Sequence, residues 1–415
     1  MLKKILNLNN WLLIISLPVS LSLVLLIILV KPFILIRTGY LLTYRFGHSI
    51  KDLEMYLTER ALYHNKSNIY DIFILSINPA NSYIQKISKK HLKIYPYPII
   101  YPVHYIFKKL KNIKFFKKHF IEMRNYDYDY KNYFDKLGHQ INLPYEDIVT
   151  GNKILEKIGI YKNDKLVCLC VRDENYSIKN LNQPSKKDKR TVSFMDIRNS
   201  NVENYKLASL KLNSLGYKII RVGKDTKDKI SYENENIIDY SKSSIRSDFM
   251  DIFLAFRCNF AIGDSAGWTQ APIVFRKFIA LTNWAPYSVI DFISKNHYIF
   301  KHYYDENEKK KLTIKEIFKK NLHKLFLFDL KEQGISLIEN TPEEILDMVL
   351  EVESKVSGKK NLREIDNFQM KFRNFLKEQR FFSRQDNDEI SKDLKVEDYS
   401  IKCNFGEKFL KKNFK

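Results

Sequence analysis

Four short segments carry residues whose types suit the binding of a diphosphate. They are Arg172-Asp173, Arg198-Asn199, Arg221-Val222-Gly223-Lys224 and Asp264-Ser265-Ala266-Gly267. Guanidinium forks and an ammonium group can hold phosphate oxygens. A turn of small residues leading into a helix adds backbone N–H groups and the positive end of the helix dipole. Taken one at a time, each has a simpler explanation as a surface cation or a helix cap. What unites them is position, because each falls at or near the end of a predicted strand, where ligands bind in open α/β sheets.

The elements that must position them alternate along residues 165–281. Strands are predicted at 165–171 (KLVCLCV), 217–222, 236–240, 259–262 and 278–281. Helices are predicted at 202–215, 247–257 and 268–275, with Gly216 as a C-terminal cap of the first. Strands that alternate with helices make a parallel, doubly wound sheet. The first half carries a shorter series of the same kind. Residues 33–43 and 70–76 read as strands, residues 50–62 as a helix, and Asn78-Pro79-Ala80-Asn81 opens another helix. Residues 144–159 read as a connecting helix. Beyond Leu312 the pattern turns helical, and Thr341-Pro342-Glu343-Glu344 has the form of a capping box with proline at the first helical position. The predicted fold class is therefore α/β, with two Rossmann-like domains. The expected divisions are an N-terminal membrane anchor at 1–31, a first α/β domain at 32–145, a second at 146–355 and a C-terminal helical tail at 356–415.

The anchor is expected because residues 11–30 (WLLIISLPVSLSLVLLIILV) contain no charge. About twenty apolar residues are what a hydrocarbon core of about 30 Å requires. Lys3 and Lys4 precede the run, as in a signal peptide, but the run is long and no small-residue cleavage site follows. Pro18 leaves a re-entrant or in-plane insertion open. Residues 103–120 (VHYIFKKLKNIKFFKKHF) place Val103, Ile106, Phe107, Leu110, Ile113 and Phe120 at helical spacing with lysines between them. Such a basic amphipathic stretch suits an anionic membrane surface, or equally an ordinary solvated helix on its sheet.

Composition sets the outer limits. The 415 residues allow two domains and an anchor. Apolar residues are plentiful, while 12 glycines and 11 prolines are too few for a sandwich or a flexible linker protein. The net charge of +22 implies an anionic partner, or reflects the Lys, Asn and Ile bias of AT-rich coding. Nucleic acid is not expected, since no recognition motif accompanies the charge. Cys168, Cys170, Cys258 and Cys403 form no C-x-x-C pair and no zinc-ligand spacing, which fits a reducing compartment and no metal.

The stretches VRDENY (171–176), DIRNSNVENYKLASLKLNSLGYKIIRVGK (196–224) and DIFLAFRCNFAIGDSAGWTQAPIVFRKFIALTNWAP (251–286) resemble a bacterial family assigned to glycosyltransferases of the GT-B fold, associated with surface carbohydrate synthesis. That family is more distantly similar to the lipopolysaccharide heptosyltransferases. The resemblance extends over most of residues 33–352. It implies a nucleotide-sugar donor held by the second domain, with Arg172, Asp173, Arg198, Asn199, Arg221, Gly223, Lys224, Asp264, Ser265, Ala266 and Gly267 as donor-binding residues. It implies a glycan or lipid-linked acceptor at the first domain, no metal and no further cofactor. With the anchor, it implies catalytic domains on the cytoplasmic side of the inner membrane.

In inverting relatives the catalytic base follows the first strand, where heptosyltransferases use an aspartate. This chain has Arg45-Phe46-Gly47-His48 there. The imidazole of His48 can accept a hydroxyl proton, or can simply cap the following helix. Asp52, one turn on, is the second candidate. Asp127-Tyr128-Asp129 matches a metal-binding D-x-D, but lacks the nucleotide-binding strand that would give it meaning. Glu233 and Glu235 read as solvated charges. Two other functions compete. A GT-B-type sugar-nucleotide epimerase would share the diphosphate site but needs no anchor. A membrane-anchored polybasic scaffold would explain charge and anchor but not the arginines at strand ends. Nucleotide binding separates the scaffold from both enzymes, and product analysis separates the enzymes from each other.

Overall fold

The computed structural model of the 415-residue chain describes residues 15–63, 68–123, 129–175, 196–227, 229–359, 367–379 and 399–414. The chain divides into two compact units, Met1–Asp127 and Tyr128–Lys415.

Unit 1 begins with helix α1 (Leu17–Val30), followed by β1 (Leu35–Leu41), α2 (Phe46–Tyr63), β2 (Ile69–Leu75), α3 (Ser82–His91), α4 (Tyr97–Lys109) and a single turn, α5 (Lys114–Lys117). β1 and β2 pair in parallel through Leu35↔Ile69 to Leu41↔Leu75, so α2 is their crossover. Single bridges at Thr38↔Phe120 and Phe73↔Ile94 extend the pair on either side. Of the expected Rossmann-like first domain, the described residues form a parallel two-stranded sheet with bridged flanks. Asn81 caps α3 by accepting the Ile84 N–H at 2.9 Å. The crossover is fastened to the sheet by Asp71, which accepts from Arg37 of β1 at 2.6 and 2.7 Å and from the Tyr56 hydroxyl of α2 at 2.7 Å, with Arg60 also paired to it. Burial works against the Asp71 carboxylate, but Arg37, Tyr56 and Arg60 hold it below its ordinary range.

The expected helix over 103–120 is two pieces. Its backbone leaves the helix at Leu110 and re-forms only as the single turn α5. Val103 and Phe107 are buried, whereas Ile113, predicted on the same stripe, is exposed. No helix among the described residues is long and apolar enough to cross a membrane. α1 has 14 residues, and Trp11–Ile14 of the apolar run lie outside the described residues. At 1.5 Å per residue such a helix covers about 21 Å.

Unit 2 is built on a seven-stranded sheet. Its strands are β3 (Lys165–Cys170), β4 (Tyr217–Val222), β5 (Ile237–Asp239), β6 (Phe260–Gly263), β7 (Phe278–Trp284), β8 (Asn296–Phe300) and, from the tail, β12 (Asn404–Phe405), in the order β12-β8-β7-β6-β3-β4-β5. Every pairing is parallel. The chain enters at β3, winds outward through β4 and β5, then returns to the other edge of β3 as β6 and winds outward again. The order reverses between β3 and β6. The strands are buried on both faces, which is why they read as unbroken apolar runs.

The connecting helices follow their predicted signals closely. Helix α6 (Tyr145–Glu156) precedes β3. α7 (Lys206–Ser214) follows one turn of tighter helix at Val202–Tyr205 and gives way to Gly216 with φ of 81°. Ser247 caps α8 (Asp248–Arg257) by accepting the Met250 N–H. The helix expected at 268–275 is instead a tight turn at Gly267–Thr269 and a five-residue α9 (Gln270–Val274).

Past β8 lies a small antiparallel sheet that the predicted helical pattern did not contain: β9 (His302–Asp305) between β10 (Lys310–Lys311) and β11 (Ile335–Ile338). The Thr341 capping box is present and opens α10 (Pro342–Val356). The tail supplies helices α11 (Asn367–Glu378) and α12 (Glu407–Asn413), but also β12, which pairs with β8 through Asn404↔His297 and Phe405↔Tyr298.

Candidate functional site at the strand-order reversal

β3 and β6 touch closely. A side-chain carbon at Gly263 would stand 2.8 Å from the Cys170 carbonyl oxygen and 2.7 Å from the Thr269 methyl. Glycine therefore lets the last residues of both strands meet, and the chains part just beyond them. That parting is the crevice where open α/β sheets bind ligands.

Two predicted residues face each other there. The Arg172 N–H donates to Asp264 Oδ2 at 2.9 Å, and the Arg172 carbonyl accepts from the Ser200 N–H at 2.8 Å. Arg198 reaches the same edge, its Nη1 donating to the Ser265 carbonyl at 3.2 Å. Asn199 stands beside it, and its carbonyl accepts from Lys301 Nζ at 2.5 Å. Lys301 follows β8 directly and is buried.

Asp264 is fully buried, and burial pushes its carboxyl up to about 7 despite the opposing pull of the Arg172 N–H, the Arg172 and Lys301 charges and Ser200. Lys301 answers in the opposite sense. Burial lowers its ammonium below the ordinary lysine value, while Glu339 and Asp264 favour the charged form. A carboxyl poised near neutrality beside a desolvated ammonium is the kind of pairing found where a site binds charge or moves protons.

A cavity of about 350 Å³ opens beyond the ends of β3 and β4, lined by Val171, Asp173, Asn199, Ser200, Arg221 and Glu339 among others, while Arg172, Arg198, Asp264 and Lys301 are not in its wall. Glu339 arrives from far along the chain. Asn283 at the end of β7 and Asn340 exchange main-chain and side-chain hydrogen bonds at 2.6 Å each, and Asn340 also donates to the Phe300 carbonyl. This clasp holds Glu339, which accepts from the Asn201 N–H at 3.0 Å and from the Asn204 amide at 2.9 Å. Asp173 accepts from the Lys227 N–H at 2.7 Å and the Asn175 N–H at 3.0 Å.

Other predicted residues occupy different positions. Arg221 was expected at an open strand end, but only 1% of it is exposed. Its guanidinium lies 2.9 Å from Asp239 and 3.8 Å from Asp173, so it ties β4 to β5 beneath the cavity. Gly223 adopts φ of 145°, open chiefly to glycine, and its carbonyl accepts from Arg246. Lys224 is exposed and, like Gly223, does not line the cavity. Asp264-Ser265-Ala266-Gly267 does form a compact turn, with the Ala266 N–H donating to the Asp264 carbonyl at 2.8 Å. The helix after it is too short to supply the expected dipole. Ala266 and Gly267 are absent from the cavity wall.

Lys301, Ser200 and Glu339 were not anticipated. Lys301 could have been found from the lone lysine that closes the apolar stretch 298–300. Nothing local marks Glu339.

In unit 1, His48 sits in the first turn of α2, partly exposed, with Nδ1 3.7 Å from Asp52 Oδ2. Asp52 is buried beneath it. Asp127 and Tyr128 of the D-x-D lie outside the described residues. The Asp129 carboxylate accepts the Tyr133 and Phe134 N–H groups at 2.7 and 3.0 Å, at the start of the single turn Tyr133–Lys136. Glu233 pairs with Lys229 at 3.7 Å. Among the described residues no group of three or more His, Cys, Asp or Glu side chains is placed to hold a metal ion. All four cysteines are free thiols and buried.

No protein-family model matches this chain, and no curated protein matches it. Among solved structures, the crystal structure of the glycosyl transferase family 9 from Veillonella parvula DSM 2008 is similar at a TM-score of 0.45 and 10% identity. It covers 78% of this chain and 98% of that one.

Proposed function

We propose that this protein is a glycosyltransferase that moves a sugar from a nucleotide-sugar donor to a membrane-associated glycan or lipid-linked acceptor. One observation carries this reading. The three stretches that resemble the glycosyltransferase family converge on a single edge of unit 2, where Arg172 and Asp264 meet across the strand-order reversal.

In this reading the donor occupies the cavity beyond β3 and β4, with its diphosphate toward the adjoining edge of β3 and β6. Arg172, Arg198 and Lys301 supply positive charge for the diphosphate, and protein groups rather than a metal neutralise the leaving nucleotide. Glu339 and Asp173 are acceptors of the kind that recognise sugar hydroxyls. Arg221 acts only through Asp173, by holding it in place. His48 accepts the proton of the attacking acceptor hydroxyl, and buried Asp52 orients its ring and stabilises the imidazolium that forms. The acceptor belongs to unit 1, and the reaction takes place at the cytoplasmic side of the inner membrane.

The test is binding of nucleoside diphosphates and nucleotide sugars to the purified full-length chain, read as a rise in melting temperature. A positive ligand is then offered with lipid-linked acceptors and the products analysed. Binding of no nucleotide would remove the donor assignment. Binding with isomerisation of the sugar and no transfer would make the protein an epimerase.

A further inference from the structure

We infer that α1, α4 and α5 of unit 1 form an interfacial membrane-docking surface, on which α1 lies in the plane of the bilayer rather than crossing it, and that the surface takes lipids with anionic headgroups. The inference goes beyond the proposed reaction and does not depend on it.

α1 is a working part of the unit 1 fold. Val24 and Ile27 are buried in one cluster with Val103 and Phe107 of α4. Leu23 packs against a second cluster of Ile72, Ile74 and Ile100. The hydroxyls of Ser16 and Ser20 donate to the Pro98 and Ile99 carbonyls at 2.6 and 2.8 Å. A helix fastened along its length to the rest of unit 1 has that side covered by protein rather than lipid.

Its other side is bare and apolar. Leu17, Leu21, Leu25 and Leu29 recur every fourth residue and are exposed, with Leu29 at 72%, and Phe33 continues the row at 84%. A contiguous row of this kind marks a surface made for an apolar partner. Cations stand at its C-terminal end. Lys31 closes α1 and lies over the Phe115 ring at 3.1 Å, while its Nζ donates to the Phe115 carbonyl at 3.3 Å. Lys108, Lys109, Lys114, Lys117 and Lys118 are exposed nearby in sequence, with exposed Ile113 and Phe115 between them. An apolar strip with aromatic and basic residues beside it is the composition of a helix lying at the level of lipid headgroups, with lysine stems spread over apolar surface and their charges in water. A second copy of the chain is a poorer occupant, because a self-complementary contact would bring the same lysine cluster toward itself.

The experiment uses full-length protein with single cysteines at Leu17→Cys and Leu29→Cys, each carrying an environment-sensitive fluorophore. The four native thiols are buried and leave the new site as the target. Labelled protein is floated with vesicles of phosphatidylcholine alone or mixed with phosphatidylglycerol, and depth is read by quenching with lipids spin-labelled at different positions. Both labels should lie at the same shallow depth, about 5–10 Å below the headgroup boundary. Phosphatidylglycerol should raise partitioning at least about tenfold, and K114S/K117S/K118S should abolish that gain. One label deep and the other at the surface would overturn the in-plane placement. No flotation, together with a doubled mass and labels shielded without lipid, would assign the face to a second copy and overturn the inference.

Discussion

Asp264 Oδ2 accepts the Arg172 main-chain N–H at 2.9 Å, and this hydrogen bond bridges β3 and β6 at the point where the strand order reverses. The contact locks the mouth of the crevice with a backbone donor. It also commits a carboxyl to a fully buried position, where its charge is costly.

That cost has a pH signature. The Asp264 carboxyl is raised from 3.8 to about 7 in the folded protein. A raised acid favours folding while it is protonated. Its contribution is complete below the unfolded value and is lost as pH climbs through about 7. Asp264→Asn keeps an acceptor for the Arg172 N–H and cannot ionise. Its melting temperature should match the wild type at about pH 4 and exceed it increasingly toward about pH 8. Parallel melting curves for the two proteins across that range would show that Asp264 ionises without penalty.

Arg221→Met should unfold far more readily than the wild type. Arg221 and Asp239 form a buried pair at 2.9 Å. Removing the cation strands the carboxylate, a loss of about 3–5 kcal/mol. Urea denaturation measures it. A change below about 1 kcal/mol, as at a solvated surface arginine, would contradict the buried pairing.

Lys301→Met tests whether this buried ammonium serves the donor. If Lys301 meets a phosphate oxygen, the affinity for a nucleoside diphosphate should fall roughly ten- to hundredfold, as expected for one charge-assisted contact of about 1.5–3 kcal/mol. Calorimetric titration of the wild type and variant decides this, and equal affinities would take Lys301 out of the site.

His48→Ala separates catalysis from capping. As the base, His48 should leave donor affinity intact while transfer falls by about 10²–10⁴-fold. As a mere cap it should cost about 1 kcal/mol of stability with transfer retained. If Asp52 acts only by orienting the ring, Asp52→Asn should slow transfer less than His48→Ala. A larger effect at Asp52 would exchange their roles.

Much of this molecule was decided locally. The strand at Tyr217–Val222 lies where its apolar run placed it, after a glycine whose positive φ ends α7. Thr341 and Glu344 form the reciprocal capping bonds that their three-residue spacing allows. Runs buried on both faces, broken by helices, identified a parallel sheet. Such features depend on neighbours within a turn or two, so composition and spacing determine them.

What only the tertiary structure decided is which charges face each other. Arg221 and Lys224 look equally available in sequence. Pairing of β4 with β5 buries the first against Asp239, 18 residues on, and leaves the second in solvent. Glu339 enters the cavity wall because the Asn283–Asn340 clasp brings it to Asn201, 138 residues away. The apolar run of residues 11–30 announced a preference for lipid, but hydropathy is a sum over side chains and does not say which are already covered. Packing of Val24 and Ile27 on α4 settles that question for one side of α1. Sequence fixes the preference of each residue for water or its absence. Partners are chosen only when distant segments are brought together, because a buried charge or an apolar face is satisfied by whatever the fold sets against it.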